Sequence, residues 1–470
     1  MSHRHTMPLL FFLALALRLA VCGLQTGFAS PTSDVWLRAR HVVEGHGPVA
    51  AIRGADKADP SNFNVIWYYS PIYRRPLPWL TLLPFALLPG RLHFAVYLFT
   101  CALSALVAVV AAAVAKEATR PSEPATEQQH RFSERAGLIS GLFCAVFPYQ
   151  VFNAYMPYDT TFVSFGVLVL FYCLLRWRRA GATSESDSRR SWGWSWFVLG
   201  AASCAWLLLS RFTTTMVVGL SGLWVLGMVP GALRRKVMVC AMFGLLTLIP
   251  CLPWVWYVHA NSSRWSMGPG LGKGLYWAYN RHTLEHYPWH SIDVGVLKAW
   301  RDLPIDYRRQ VASGALRDFE ANEPLRRRAV AFILAHPLDV VARIPVKLLS
   351  PWLPVSPWYA TPTGIRTDHD PQALMRQRAI RVRERFVHGL SSYAVLVLAV
   401  IGYFWLRRRP QVAWLLILPW VAMFATAAIM WAHSRGRAIY DPLLMTAAGI
   451  GAAWICERVF TRHAHPQSSQ

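Results

Sequence analysis

Charge is scarce in this 470-residue chain. Only 15% of its residues are charged, and 24 acids face 48 Lys and Arg. A soluble domain of this length carries more charge and fewer long apolar runs, which excludes an ordinary soluble enzyme. Cysteine is sparse as well. The eight cysteines (22, 101, 144, 173, 204, 240, 251 and 456) fall in or beside apolar stretches, with no C-x-x-C spacing. They read as small buried hydrophobes, with neither disulfides nor a zinc site. No fixed-period repeat is visible, so a solenoid and a transporter of related halves both lack support.

What the chain has is apolar length. Hydrophobic residues make up 54% of it, and 22 residues are Trp. Runs of about 18 to 25 apolar residues recur, long enough to cross a bilayer as helices. The expected fold class is an all-α polytopic membrane protein, a bundle of about ten transmembrane helices. The crossings are placed near 7–24, 92–115, 136–152, 159–175, 193–210, 213–230, 237–258, 389–406, 411–432 and 441–457. The first run could pass for a cleaved signal peptide, but Arg18 inside it favours a retained helix. The short proline-rich stretch 76–88 reads as a re-entrant or interfacial piece before the second crossing.

A formal charge of +24 invites a nucleic-acid reading, but its placement argues against one. Basic clusters fall at 116–135, 176–179 with 189–190, 234–236, 407–409, and at Arg458 and Arg462. These positions follow every second crossing, as the positive-inside rule expects. The N-terminus and C-terminus are therefore placed inside, and the loops 25–91 and 259–388 outside. The division expected is an N-terminal membrane module over 1–258, an outer loop domain over 259–388, and C-terminal helices with a tail over 389–470. Within the second loop, 325–335 and 338–349 read as short helices with basic and apolar faces, suited to a membrane surface. Expected partners are membrane lipids and phosphate-bearing molecules, not nucleic acid.

Acids at the outer edge of a crossing are worth weighing. Asp34 follows the first crossing in the stretch Ser33–Arg40, and Asp159 opens the fourth. Each reads either as a helix cap or solvated charge, or as a working carboxylate. Arg74, Arg75, Arg211, Lys273, Arg435 and Arg437 are outer-side cations. Each reads as a snorkelling or topology residue, or as a phosphate ligand. Trp277, Trp289 and Trp352 read as interfacial anchors or as surfaces for a sugar or lipid chain. The stretch His282-Thr283-Leu284-Glu285-His286 fits a zinc-peptidase pattern. It is set aside, because Tyr287-Pro288 follows at once and no stable helix would align the two imidazoles.

Several local patterns, taken in order, resemble the GT-C membrane glycosyltransferases. The likeness is to the family 39 group of protein O-mannosyltransferases and the lipid A aminoarabinose transferase. They are the apolar opening with Arg18, Asp34 in the loop after it, and the proline-rich stretch from Tyr69 to Pro78. Pro157-Tyr158-Asp159 follows, standing where the family has Ser-Glu. Then come Arg211, Pro253-Trp254, the glycine-rich stretch from Gly268 to Trp277, and Arg435-Gly436-Arg437 with Pro442. The resemblance covers nearly the whole chain. It implies transfer of a hexosyl or pentosyl group from a polyprenyl-phosphate donor to a lipid, glycan or protein acceptor, with inversion. It further implies Asp34 as base, with Asp159 as a second acid, and the six cations as donor-phosphate ligands. No cofactor is demanded, although Asp159 could hold a divalent cation. The expected location is a bacterial inner membrane with the site facing the periplasm. The competing reading is a transporter or lipid flippase, which would place ionisable groups at mid-membrane. A noncatalytic scaffold is the third reading.

Overall fold

A computed structural model describes residues 3–27, 33–48, 71–72, 74–88, 93–121, 126–155, 158–182, 187–283, 298–316, 318–352, 371–430 and 434–463. No strand occurs among them. The first helices are α1 (His3–Thr26), α2 (Asp34–Val43), α3 (Pro76–Leu80), α4 (Leu83–Ala86) and α5 (His93–Thr119). Then follow α6 (Glu127–Val146), α7 (Pro148–Ala154), α8 (Asp159–Ala182), α9 (Asp187–Ser210), α10 (Thr215–Met228), α11 (Leu233–Leu248) and α12 (Leu252–Ser262). A module before the last crossings holds α13 (Gly272–Ala278), α14 (Ile305–Ala312), α15 (Asp318–Ala335) and α16 (Pro337–Leu349). The chain closes with α17 (Pro371–Leu406), α18 (Pro410–Ile429), α19 (Ser434–Ala438) and α20 (Asp441–His463).

Among the described residues, seven helices are long and apolar enough to cross a membrane, or nine if each of two bent pairs is one span. This is an integral membrane protein. Every predicted crossing falls on a helix, but not all meet the length and apolarity of a full span. The crossing at 136–152 lands on α6 and α7, bent by 57°. The one at 213–230 lands on a shorter apolar helix, Phe212–Met228. The two helices expected on the membrane surface are α15 and α16, bent by 104° at their junction. Arms at that angle cannot both follow the membrane normal.

The helices give the bundle two chemically distinct ends. At the basic end, Glu117 of α5 is buried and paired with Arg179 at 3.0 Å, Arg176 at 3.5 Å and Arg120 at 3.9 Å. One acid among three guanidinium groups leaves that end strongly positive, as expected where the arginine-rich turns lie. The opposite end, where α8 begins and α9 ends, carries Asp159 and Arg211 and is here termed the site end.

Close packing between spans relies on small residues, because lipid supplies no hydrophobic drive for helix association. A side chain at Gly402 of α17 would collide with the Ala447 carbonyl of α20, and one at Gly451 with the Leu398 carbonyl. One at Gly449 would collide with Ser140 of α6. The Ser140 hydroxyl donates to the Thr446 carbonyl at 3.1 Å across the same seam.

Arg18, the charge within the first span, is fully buried. Its Nε donates to Ser104 Oγ at 2.7 Å, while the guanidinium nitrogens reach the carbonyls of Ala145 at 2.9 Å and Cys144 at 3.2 Å. Position 148 is proline, so it has no amide hydrogen to give Cys144 four residues back. A backbone acceptor stranded inside a bilayer costs several kcal/mol on the order-of-magnitude scale. Arg18 satisfies that acceptor and so fastens α1 to the α6–α7 bend.

Candidate active site

The site end is assembled from segments far apart in sequence. Asp159 is the first residue of α8 and is buried. Its Oδ2 lies 3.9 Å from Arg74, just before α3, and its Oδ1 lies 3.8 Å from Arg211, just after α9. Arg211 has extended backbone, φ −156°, where α9 gives way to the turn Phe212–Thr214. The helix N-terminus favours the carboxylate, and the carboxylate in turn holds both guanidinium groups in place. Asp159 is therefore part of a three-residue ion cluster, not merely a cap.

Arg75 turns away from that cluster. It donates to the Met267 carbonyl and lies over the Phe212 ring at 5.7 Å. Burial pulls its guanidinium down to about 10, and it stays protonated at neutral pH. Trp254 Nε1 donates to the same Met267 carbonyl at 2.9 Å. One backbone oxygen thus joins the proline-rich stretch, the end of the Leu233–Ser262 span and the start of the glycine-rich stretch. In that stretch, Gly272 sits so close to the Asn322 carbonyl of α15 that any side chain would collide with it. Lys273 follows, buried, with its Nζ 4.7 Å from the Trp277 ring centre and its amide donating to Asn322 Oδ1 at 3.0 Å.

Asp34 is placed by its helix. Ser33 caps α2, accepting from the Trp36 amide at 3.2 Å, so the capping role belongs to Ser33 and Asp34 is the first helical residue. Val35 and Trp36 share a buried core with Ile72 and Phe162. Those two lie two residues before Arg74 and three after Asp159. The helix carrying Asp34 therefore packs against the ion cluster's own supports. The Asp34 and Arg435 side chains lie outside the described part of the structure. Trp289 and the end of the His282–His286 stretch lie outside it too. His282 itself contacts Asp302 at 2.7 Å.

Arg437 is committed elsewhere. It is buried against Asp441 at 3.0 Å and donates to the Pro351 carbonyl at 3.1 Å and Ser392 Oγ at 3.2 Å. It also stands over Tyr149 and Trp352 at 5.2 and 5.5 Å. Of the six cations proposed for a phosphate, Arg74 and Arg211 are brought together, while Arg437 holds the start of α20. Three buried cations are not among the sequence candidates: Arg38, one helical turn after Asp34, and Arg343 and Lys347 on α16. Asp159, bracketed by guanidinium groups on both oxygens, is poorly suited to a divalent cation, which those groups would repel. Among the described residues no three His, Cys, Asp or Glu converge as a metal site would.

No family model matches the chain, and no curated protein matches it in sequence. Solved structures do match it. The archaeal oligosaccharyltransferase AglB from Archaeoglobus fulgidus, in complex with an inhibitory peptide and a dolichol-phosphate, aligns with a TM-score of 0.52 at 12% identity. That alignment covers 98% of this chain and 51% of that one. The fold is GT-C-like. The oligosaccharyltransferase tethered to an acceptor peptide gives a TM-score of 0.50 at 12% identity, over 98% of this chain and 50% of that one. ArnT from Cupriavidus metallidurans bound to undecaprenyl phosphate gives 0.41 at 15% identity, over 95% and 78%. This GT-C-like chain spans about half the length of the oligosaccharyltransferase it matches. The likeness is one of fold.

Proposed function

We propose that this protein is an inverting membrane glycosyltransferase. It moves a hexosyl or pentosyl group from a polyprenyl-phosphate donor to a lipid, glycan or protein acceptor. The observation that carries the reading is the Arg74–Asp159–Arg211 cluster at one end of a GT-C-like bundle. The acceptor hydroxyl attacks the anomeric carbon and gives its proton to the Asp34 carboxylate. The bond from that carbon to the phosphate oxygen breaks, and its electron pair leaves with the phosphate. Negative charge grows on that phosphate, and fixed guanidinium groups stabilise it more than they stabilise the donor. Arg74 and Arg211 fill that role, and Asp159 aims them. A phosphate needs no strong general acid to leave, so one carboxylate suffices for proton transfer. The site faces the periplasm of a bacterial inner membrane, the side opposite the arginine-rich turns.

The test is sugar transfer in membranes holding wild-type protein or Asp34→Asn. Radiolabelled polyprenyl-phosphate sugars are the donors, and native lipid and protein extract is the acceptor. The substitution keeps the shape and removes the charge, so transfer should fall about 100-fold or more at equal protein levels. Equal transfer by both proteins would remove Asp34 from the chemistry. No transfer by wild type from any donor would defeat the reading itself.

A further inference from the structure

Helix α16 is built inside out. Leu338, Val341 and Leu349 stand 83%, 63% and 62% exposed, while Arg343 and Lys347 are buried at 6% and 1%. A helix at a water or headgroup boundary normally turns its cations outward and its leucines inward. Here the spacing of four between Arg343 and Lys347 puts both cations on the face turned into the protein. The apolar face is left exposed. Burying a cation is costly unless something answers it.

The two cations are answered unequally. Arg343 donates to the Asn280 carbonyl at 2.9 Å and lies over the Phe332 ring at 4.8 Å. Lys347 Nζ makes no hydrogen bond among the described residues and rests 3.8 Å from the centre of the Tyr279 ring. The Tyr279 hydroxyl is itself used, donating to the Ala428 carbonyl at the site end of α18. One turn beyond Lys347, the Pro351 carbonyl accepts from Arg437. An ammonium with three donors therefore sits between α16 and the site end of the bundle with only the Tyr279 ring against it among the described residues, and with exposed leucines on the reverse of its helix.

We infer that Lys347 forms an anion subsite that receives a phosphate group where α16 meets the site end of α18. The inference rests on the reading of the chain as a polyprenyl-phosphate-dependent transferase, and it adds a ligand outside the Arg74–Asp159–Arg211 cluster. Burial, with Arg343 adding repulsion, brings the Lys347 ammonium down to about 7. The charged groups around it are Arg343 and Asp339 on α16, and the Arg437–Asp441 pair beyond Pro351. The described end of α18, Ala428 to Met430, carries no charge. A bound phosphate holds the proton on Lys347, so affinity is full below pH 7 and declines above it as the free amine loses its proton.

The experiment measures binding to the purified full chain in lipid nanodiscs at pH 6.0 and pH 8.5. The probes are a polyprenyl phosphate, inorganic phosphate and phosphatidylglycerol. Wild type is compared with Lys347→Met, which keeps the stem, and Lys347→Arg, which keeps the charge at both pH values. Lys347→Met should bind the polyprenyl phosphate about tenfold more weakly at pH 6.0. It should melt no lower than wild type, because it removes an unanswered buried charge. Wild type should weaken by about tenfold between the two pH values relative to Lys347→Arg, which also cancels the phosphate's own titration. Preference for polyprenyl phosphate over the other two probes identifies the lipid donor as the source. Preference for inorganic phosphate or phosphatidylglycerol keeps the subsite and overturns its link to the donor. Equal binding by wild type and Lys347→Met at pH 6.0, with transfer activity intact, overturns the subsite and leaves the transferase reading standing. Binding of no probe by wild type overturns both.

Discussion

Arg18 and Arg211 do different work, and substitution separates them. Arg18 answers the Cys144 carbonyl, which the proline at 148 leaves without a donor, so its loss is structural. Arg18→Leu should lower stability by about 1–3 kcal/mol, the cost of leaving a buried acceptor unmade. A thermal melt in detergent reads this, and an unchanged midpoint would mean that the bend finds another donor. Arg211 faces Asp159 at 3.8 Å and belongs to the site. There the informative change is Asp159→Asn. It leaves both guanidinium groups free for phosphate but no longer aimed. Donor KM should stay within about threefold while kcat falls by roughly 100-fold, since misalignment costs rate more than binding. A rise in KM with kcat unchanged would make Asp159 a donor-binding residue. The charged residues also show what a sequence conceals. Arg437 reads in sequence as a phosphate ligand, and the structure instead pairs it with Asp441 across the turn between α19 and α20. Lys347 gave no signal. In a loop helix with one apolar face a lysine reads as solvated, and only the packing of α16 shows which face is inward.

Long apolar runs were the most legible part of the chain, because a bilayer fixes both the length and the composition of a crossing. The bends were less so. Pro148 and Pro337 each open a helix in the structure, but proline marks a break without stating its angle. The bend is 57° at the first and 104° at the second. Which of these occurs is decided by what receives the freed backbone groups, and in the first case that is an arginine on another helix. The glycines were equally mute. Gly402 and Gly219 look alike in sequence, yet the first meets the Ala447 carbonyl and the second has nothing near it. Gly402→Ala should therefore wedge α17 from α20 and cost about 1–3 kcal/mol. Gly219→Ala should be neutral or stabilise α10 by up to about 1 kcal/mol. Melting both variants in one detergent checks the contrast, and equal midpoints would mean that the α17–α20 seam is looser than drawn.

The reading of function depends on which side of the membrane each end of the bundle faces. The Leu233–Ser262 segment offers a direct test. It runs 30 residues, or about 45 Å at 1.5 Å per residue, enough to reach from one surface to the other. Arg234 and Asn261 lie near its two ends, and both are exposed. Arg234 sits beside Arg235 and Lys236, one of the basic groups that should stay inside. Asn261 lies six residues before Met267, whose carbonyl receives Arg75 and Trp254 beside the site. Six of the eight cysteines are buried, so replacing Cys240 and Cys456 with serine gives a quiet background for labelling. In that background, a membrane-impermeant maleimide added to intact cells should label Asn261→Cys and leave Arg234→Cys untouched until the membrane is opened. The reverse pattern would place the Arg74–Asp159–Arg211 cluster on the cytoplasmic surface. A periplasmic acceptor would then be ruled out. Labelling of both positions from one side would mean that the segment turns back at its 3-10 stretch, Ile249–Cys251, and does not cross.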